Sequence, residues 1–231
     1  MYRYETHLHT APVSKCAKGT VRECLEYYKA LGYDGVFITN HFLDGNINGD
    51  RTRPYAEQLE YFISDYEEGV KLGRELGIKV FFGAELAYKG CDFLVFGLSP
   101  DWFRAHPEIM EMKKSEELPF MREHGALIIH AHPFREAKYI DHIRLFPRCV
   151  DGVEVCNACR TPFENEMARQ YAQNYGLLPF AGSDNHRAAL QTKLSGMAGE
   201  TPVNSVEEFI TAVRNGRLTP FELERGEEEW N

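Results

Sequence analysis

Thr6-His7-Leu8-His9-Thr10 ends a short run of strand-forming residues that begins at Tyr2. In a strand, side chains alternate faces, so His7 and His9 point the same way and can bind one ion together. The same arrangement returns along the chain. Asn40-His41 follows the apolar run Gly35-Val36-Phe37-Ile38-Thr39, and Gly83-Ala84-Glu85 ends a run that starts at Lys79. His130-Ala131-His132-Pro133 ends another run, with both histidines on one strand face, and Gly182-Ser183-Asp184-Asn185-His186 follows Leu178–Ala181. Asp184 and His186 repeat the spacing of two. One His-x-His is weak evidence, but five strand-end clusters of ligand type point to a multinuclear metal site.

The segments between these clusters read as helices. Thr20-x-x-Glu23 is a capping-box pattern for a helix that stops at Gly32. Further helices are predicted from about Pro54 to Glu75, from Glu108 to His124, from Pro162 to Tyr175, and from Ser205 to Asn215. Asp92 to Leu98 and Gly152 to Cys156 are additional strands, and the polar stretch from Phe42 to Arg53 is a loop. Strands alternating with helices about seven times imply a parallel sheet. Ligands on nearly every strand end favour closure into a barrel, whose active site lies at the C-terminal ends of the strands. Residues 1–231 read as one such domain, with an acidic tail from Gly226 to Asn231 expected to fray.

Composition narrows the function. A formal charge of −9 disfavours a broad nucleic-acid footprint, so a polynucleotide partner is not expected. No apolar run approaches a membrane span, and Met1-Tyr2-Arg3-Tyr4-Glu5 leads straight into a strand without a signal-peptide pattern. The six cysteines are scattered, as in a reduced cytoplasm. Cys156-Asn157-Ala158-Cys159 lacks the second Cys-x-x-Cys that a structural zinc site needs, and packing is its simpler role. His106, His124 and His142 lie in polar helical or loop stretches and read as ordinary surface residues.

The order His-x-His-Thr, Asn-His, Gly-x-Glu, His-Pro and Gly-Ser-Asp-x-His resembles the PHP (polymerase and histidinol phosphatase) domain family. The likeness runs from His7 to His186. It implies a distorted seven-stranded (β/α) barrel, similar to a TIM barrel, and two or three divalent ions (Zn, Mn or Fe). It also implies phosphoester hydrolysis by a metal-bridging hydroxide, with Glu85, Asp184 and His186 in the catalytic set. By this resemblance His7, His9, Glu85 and Asp184 hold one metal, Glu85 bridges to a second shared with His132, and His41 and His186 serve a third. The family's ligand in the fourth motif is the histidine directly before proline, which leaves His130 as an inner barrel residue or a partner of a ligand.

Two positions depart from the family pattern. Asp92 falls at or near the place of a usual histidine and is carried as a further ligand, since carboxylate suits the same ions. Ser14 and Lys15 stand where the family has an Asp or His, and Cys16 is one residue further on. Lys15 would repel a cation and attract phosphate. Arg135 and Arg160, on loops after strands, are candidate phosphate clamps, and Asn157 a candidate substrate contact. The expected activity is that of a cytoplasmic phosphoesterase acting on a small sugar, amino-alcohol or nucleotide phosphate. The alternatives are a metal hydrolase for non-phosphate esters or amides, and a non-catalytic, metal-stabilised domain.

Overall fold

Buried apolar runs, most of four to seven residues and most separated by helices, set the architecture. The computed structural model describes residues 1–224, so the acidic tail at 226–231 lies outside the described residues. In chain order the elements are β1 (Tyr2–Leu8), α1 (Val21–Ala30), β2 (Gly35–Ile38), α2 (Tyr55–Leu76), β3 (Lys79–Tyr88) and β4 (Cys91–Phe96). Next come α3 (Pro100–Ala105), α4 (Lys114–Glu123), β5 (Leu127–Ala131), β6 (Gly152–Asn157) and α5 (Pro162–Tyr175). The described part ends with β7 (Leu178–Gly182), β8 (Lys193–Gly199), α6 (Val206–Arg214) and β9 (Thr219–Glu224).

The strands form one sheet in the order β7-β6-β5-β4-β3-β2-β1-β8-β9. Seven of them curl into a nearly closed barrel. The first half of β1 pairs antiparallel with β8, and beyond it the end of β1 meets the segment after β7. There Asn185 N donates to His7 O at 3.1 Å, and His9 N donates to Asn185 O at 3.0 Å. This closure brings His7, His9 and Asp184 together, although they lie at opposite ends of the motif series.

The expected barrel is therefore present, with two corrections. The sheet is not wholly parallel: β4 runs antiparallel to both β3 and β5. Lys89 and Gly90 join β3 to β4 with positive φ at both residues (47° and 89°), the backbone of a two-residue hairpin turn. That leaves no room for the crossover a parallel return needs. The antiparallel course keeps Asp92 useful, because the start of β4 lies at the same barrel end as the C-termini of its neighbours. The pair β8 and β9, absent from the sequence-based reading, extends the sheet beyond β1. Its sequence, Lys193-Leu194-Ser195-Gly196-Met197-Ala198-Gly199, has few β-branched residues to announce a strand.

The helices follow their end signals. Thr20 and Glu23 form the reciprocal capping box, and Thr161 with Glu164 forms a second at the start of α5. The single helix predicted over 108–124 is instead broken into a short 3₁₀ turn at Pro107–Glu111 and then α4. The second piece begins at Lys114, which is buried and paired with Asp44 at 2.6 Å and Glu117 at 2.7 Å. Inside the barrel, Phe209 from α6 closes the floor. Its ring lies 4.6 Å from Phe37 and 5.9 Å from Tyr4, and it also meets Phe96 and Phe180. This aromatic plug leaves the opposite mouth to the polar residues. Among the described residues no helix is long and apolar enough to cross a membrane.

Candidate metal centre

The strands bring the predicted metal ligands to the open mouth, most of them at or just past a strand end. His7 and His9 come from the end of β1 and the residue after it, and His41 follows β2. Glu85 lies in β3, where the backbone of Asn40 and Phe42 extends the pairing: Glu85 N donates to Asn40 O and Phe42 N donates to Glu85 O. His132 follows β5, and Asp184 and His186 follow β7. The ligand atoms fall into three groups, each within 4.8 Å: His7 with Glu85 and His132, His7 with His9 and Asp184, and His9 with His41 and His186.

Glu85 occupies the middle. Its Oε1 lies 3.1 Å from His7 Nε2 and 3.4 Å from His132 Nε2. Its Oε2 lies 2.7 Å from His41 Nδ1 and 3.4 Å from His9 Nε2. Asp184 Oδ1 stands 3.5 Å from His7 Nε2 and 3.4 Å from His9 Nε2. Several of these buried atoms, including His7 Nε2, His9 Nε2 and Glu85 Oε2, have no hydrogen-bond partner. Orphaned donors and acceptors this deep are costly unless something satisfies them. A mixed set of imidazoles and carboxylates facing one small space fits divalent ions.

The outer contacts fix the rings. His7 Nδ1 meets Glu154 Oε1 at 2.9 Å, which leaves Nε2 facing the cluster. This is the carboxylate–histidine pairing that orients metal ligands. The other oxygen of Glu154 accepts from His132 N at 3.0 Å and from Asn157 Nδ2 at 2.8 Å. His9 Nδ1 meets Ser14 Oγ at 3.1 Å, and Ser14 in turn donates to Asn40 Oδ1 at 2.9 Å. Asn40 and Thr10 both donate to the buried Asp65. Glu5 accepts the backbone N–H groups of Thr6, His7 and Ser183 through Oε1, tying the end of β1 to the end of β7. Glu5, Glu154 and Asp65 were not singled out as site residues from the sequence. The available signal for the first two was a carboxylate inside a buried strand, which must have partners to be there.

Two of the candidate ligands carry backbone strain. His132 (φ 26°) and Asp184 (φ 53°) both lie in the left-handed region. Such positions cost about 1–3 kcal/mol each and persist when their surroundings enforce them. At His132 the turn also breaks the strand alternation. Its ring swings to Glu85, while His130 faces out of the barrel into the helix layer, stacked on Phe93 at 4.9 Å and 6.0 Å from Tyr171 of α5, so it is not the inner barrel residue that the resemblance implied. The two histidines therefore do not share a face.

The remaining expected contacts divide. Arg135 lines the mouth cavity of about 540 Å³, together with Asp92, His41, His132, His186 and Tyr139. Its guanidinium donates to Asp92 Oδ2 at 2.9 Å, whereas His132 Nε2 is 3.8 Å from that oxygen. Asp92 thus stands at the edge of the ligand groups, drawn toward Arg135. Lys15, Asn157 and Arg160 are not brought to the cavity lining. The loop after β1 turns Ser14 inward against His9, so the next side chain, Lys15, is exposed. Asn157 is fully buried beneath Glu154 and Asp184. Arg160 faces a neighbouring hollow and lies 3.9 Å from Glu164. His106, His124 and His142 lie apart from the cavity, bonded to Glu108, Phe120 O and Asp141. Cys156 is buried in the core and both cysteines of the Cys-x-x-Cys are free. A more apolar hollow of about 510 Å³ between α5 and β9 holds no comparable cluster of ligands.

Charged neighbours set the protonation of this centre. Burial opposes charging His7, but Glu154, Asp184 and Glu85 outweigh it and raise its pKa well above the usual range. His41 is raised in the same way, mainly by Glu85 against burial. Burial and the neighbouring His186 and His41 push His9 well below. Glu85 and Asp184 are held well below the carboxylate range because the surrounding histidines overcome their burial. A raised pKa keeps a proton on His7 and His41 through neutrality, and that proton must leave before the nitrogen binds an ion. Metal uptake should therefore release protons, and apparent affinity should rise with pH. Calorimetry of zinc binding in buffers of different ionisation enthalpy measures this directly; zero net proton release near neutral pH would contradict the charge assignment.

The comparisons with known proteins agree with this architecture. The PHP-associated family model matches residues 162–218, from α5 through Asp184 and His186 to the end of α6. No curated protein matches the chain. Among solved structures, a two-domain protein from Bacteroides vulgatus, containing a predicted PHP-like metal-dependent phosphoesterase, superposes with a TM-score of 0.67 at 14% identity. That match covers 95% of this chain and 64% of the other, so the chain spans less than two-thirds of its length. A protein from Bifidobacterium adolescentis, named for metal-dependent phosphoesterase activity, gives 0.59 at 13% identity, covering 91% and 95% of the two chains. An amidohydrolase from Chromobacterium violaceum, solved with bound sulfate and no metal, gives 0.53 at 12% identity, covering 99% and 100%.

Proposed function

We propose that this protein is a PHP-type, metal-dependent phosphoesterase acting on a small phosphomonoester. The observation that carries the reading is the position of Glu85. Its two oxygens face four histidines from three strand ends, beside a cavity rimmed by Arg135. His7, His9, Glu85 and Asp184 would hold one divalent ion, His132 with Glu85 a second, and His41 with His186 a third. Bound divalent ions supply Lewis acidity toward water and toward phosphoryl oxygens. The chain's own residues do the rest. Glu154 and Ser14 fix the ring orientation of His7 and His9. Arg135 presents a planar cation to the phosphate oxygens that face away from the ligands. A cavity of about 540 Å³ suits a small molecule, and the net charge of −9 favours that over a polynucleotide.

Hydrolysis of an amide or neutral ester is the second reading, favoured by the likeness in fold to the amidohydrolase. Such a substrate would need the ligands but not Arg135. The test is a phosphate-release screen with zinc, manganese or iron added, run beside a neutral ester. Arg135→Ala removes a charge-assisted hydrogen bond, worth about 1.5–3 kcal/mol. That is roughly a ten- to hundredfold loss in kcat/KM at 1.36 kcal/mol per decade. The loss should appear with phosphoesters and not with the ester. Equal effects on both would favour the second reading.

A further inference from the structure

A chain of hydrogen bonds runs from Asp65, in the middle of α2, through Asn40 and Ser14 to the ring of His9. All four residues are buried, so each needs its partners inside the protein. Backbone N–H groups can only donate, and one of them meets the chain at each link. Val13 N donates to Asp65 Oδ2 at 3.3 Å, Thr10 N to Asn40 Oδ1 at 2.7 Å, and His41 N to Ser14 Oγ at 3.1 Å. The second of these decides the amide of Asn40. Its oxygen faces Thr10 N, so its Nδ2 faces Asp65 Oδ2, 3.0 Å away. The Thr10 hydroxyl agrees: it accepts from Asn40 Nδ2 at 2.9 Å and donates to Asp65 Oδ2 at 2.7 Å.

This polarity reaches the metal centre through Ser14. A serine hydroxyl has one proton and two acceptor positions. The proton goes to Asn40 Oδ1, 2.9 Å away, and His41 N fills one acceptor position. What remains for His9 Nδ1, at 3.1 Å, is a lone pair. That contact is a hydrogen bond only when Nδ1 carries a proton. A neutral imidazole has one N–H, so Nε2 is then bare. The opposing pull comes from Glu85 Oε2 and Asp184 Oδ1, each 3.4 Å from Nε2, which would hold a proton on that side.

We infer that Asn40, oriented by Asp65 and acting through Ser14, is a positioning residue that puts the proton of His9 on Nδ1 and leaves the Nε2 lone pair free for the ion. The inference rests on the metal-centre reading given above. The hydrogen bond at one ring nitrogen selects the state of the other, and a ring with its proton on the metal-facing nitrogen is no ligand.

Long-range proton–nitrogen NMR correlation of the histidine rings, in protein stripped of metal, reads this directly. The His9 signals are assigned by their loss in His9→Gln. In the wild type the proton should sit on Nδ1. Asn40→Ala frees the Ser14 hydroxyl to turn its own proton toward His9, and Ser14→Ala removes the acceptor. Both should move the proton to Nε2. Both should also weaken the ion bound by His7 and His9 about ten- to a hundredfold, the scale of losing an outer partner, in a chelator competition with zinc. Asn40→Asp keeps an oxygen for Ser14 but sets a second carboxyl against Asp65. It should lose stability and keep the wild-type tautomer, a split that a purely structural role would not produce. A proton on His9 Nε2 in the wild type would overturn the inference. So would folded Asn40→Ala or Ser14→Ala protein with the tautomer unchanged. If neither variant folds, the wild-type spectrum decides alone. Absence of zinc uptake by the wild type would instead overturn the metal-centre reading, a result separate from the metal-free spectrum.

Discussion

Asp184→Asn is expected to leave the fold intact and to lower turnover about a thousandfold or more, a scale at least that of losing one preorganised donor at a reacting oxygen. Asp184 stands between His7 and His9, with Oδ1 3.5 and 3.4 Å from their Nε2 atoms, and Oδ2 reaches toward His132 at 3.9 Å. Asparagine preserves the shape and the left-handed backbone, which it tolerates well. It removes the negative charge that balances the ions and substitutes an amide, a poor ligand. The ion shared by His7 and His9 would then be held weakly. Circular dichroism and phosphate release measured on the same preparation separate folding from chemistry. Turnover close to wild type, with the metal content unchanged, would remove Asp184 from the centre.

The clustering of these candidate ligands was legible because strand ends in a barrel converge. A histidine or carboxylate just past a buried run has few other places to point. His7, His9, His41, Glu85, His132, Asp184 and His186 all came together for that reason. The residues that were not legible depend on pairing, which local sequence does not state. Arg160 and Arg135 look alike on the page, each a short step after a strand. The buried carboxylate of Asp92 draws Arg135 across the mouth, whereas Arg160 lies near Glu164 of α5, away from the cavity. Asp92 was read as a ligand because it falls at or near the place of a usual family histidine. Its preference for Arg135 depends on the antiparallel turn at Lys89-Gly90, where the hairpin lays β4 beside β5. Strands β8 and β9 escaped notice because their stabilisation is tertiary. Gly196 accepts the backbone of Tyr4 so closely that a side chain there would meet Tyr4 O, an intimacy no propensity scale records.

Glu154→Ala should be the most damaging change outside the ligands themselves. Three donors converge on this fully buried carboxylate: the ring of His7 at one oxygen, and the His132 N–H and Asn157 amide at the other. Truncation leaves all three facing a void, at about 1–3 kcal/mol for each buried group left unsatisfied. The chain should therefore lose several kcal/mol of stability. The position of His132 suffers as well, since the N–H held by Glu154 belongs to a residue at φ 26°. Freed from that bond, the backbone can relax and carry the ring away from Glu85. Glu154→Gln separates the two effects. Glutamine keeps an acceptor and the packing but withdraws the charge that favours the metal-binding orientation of His7. Its stability should lie nearer wild type while metal affinity falls about ten- to a hundredfold. Chemical denaturation and a chelator competition, run on both variants, measure the two quantities independently. If Glu154→Gln bound zinc as tightly as wild type, His7 would have to be oriented by something other than Glu154.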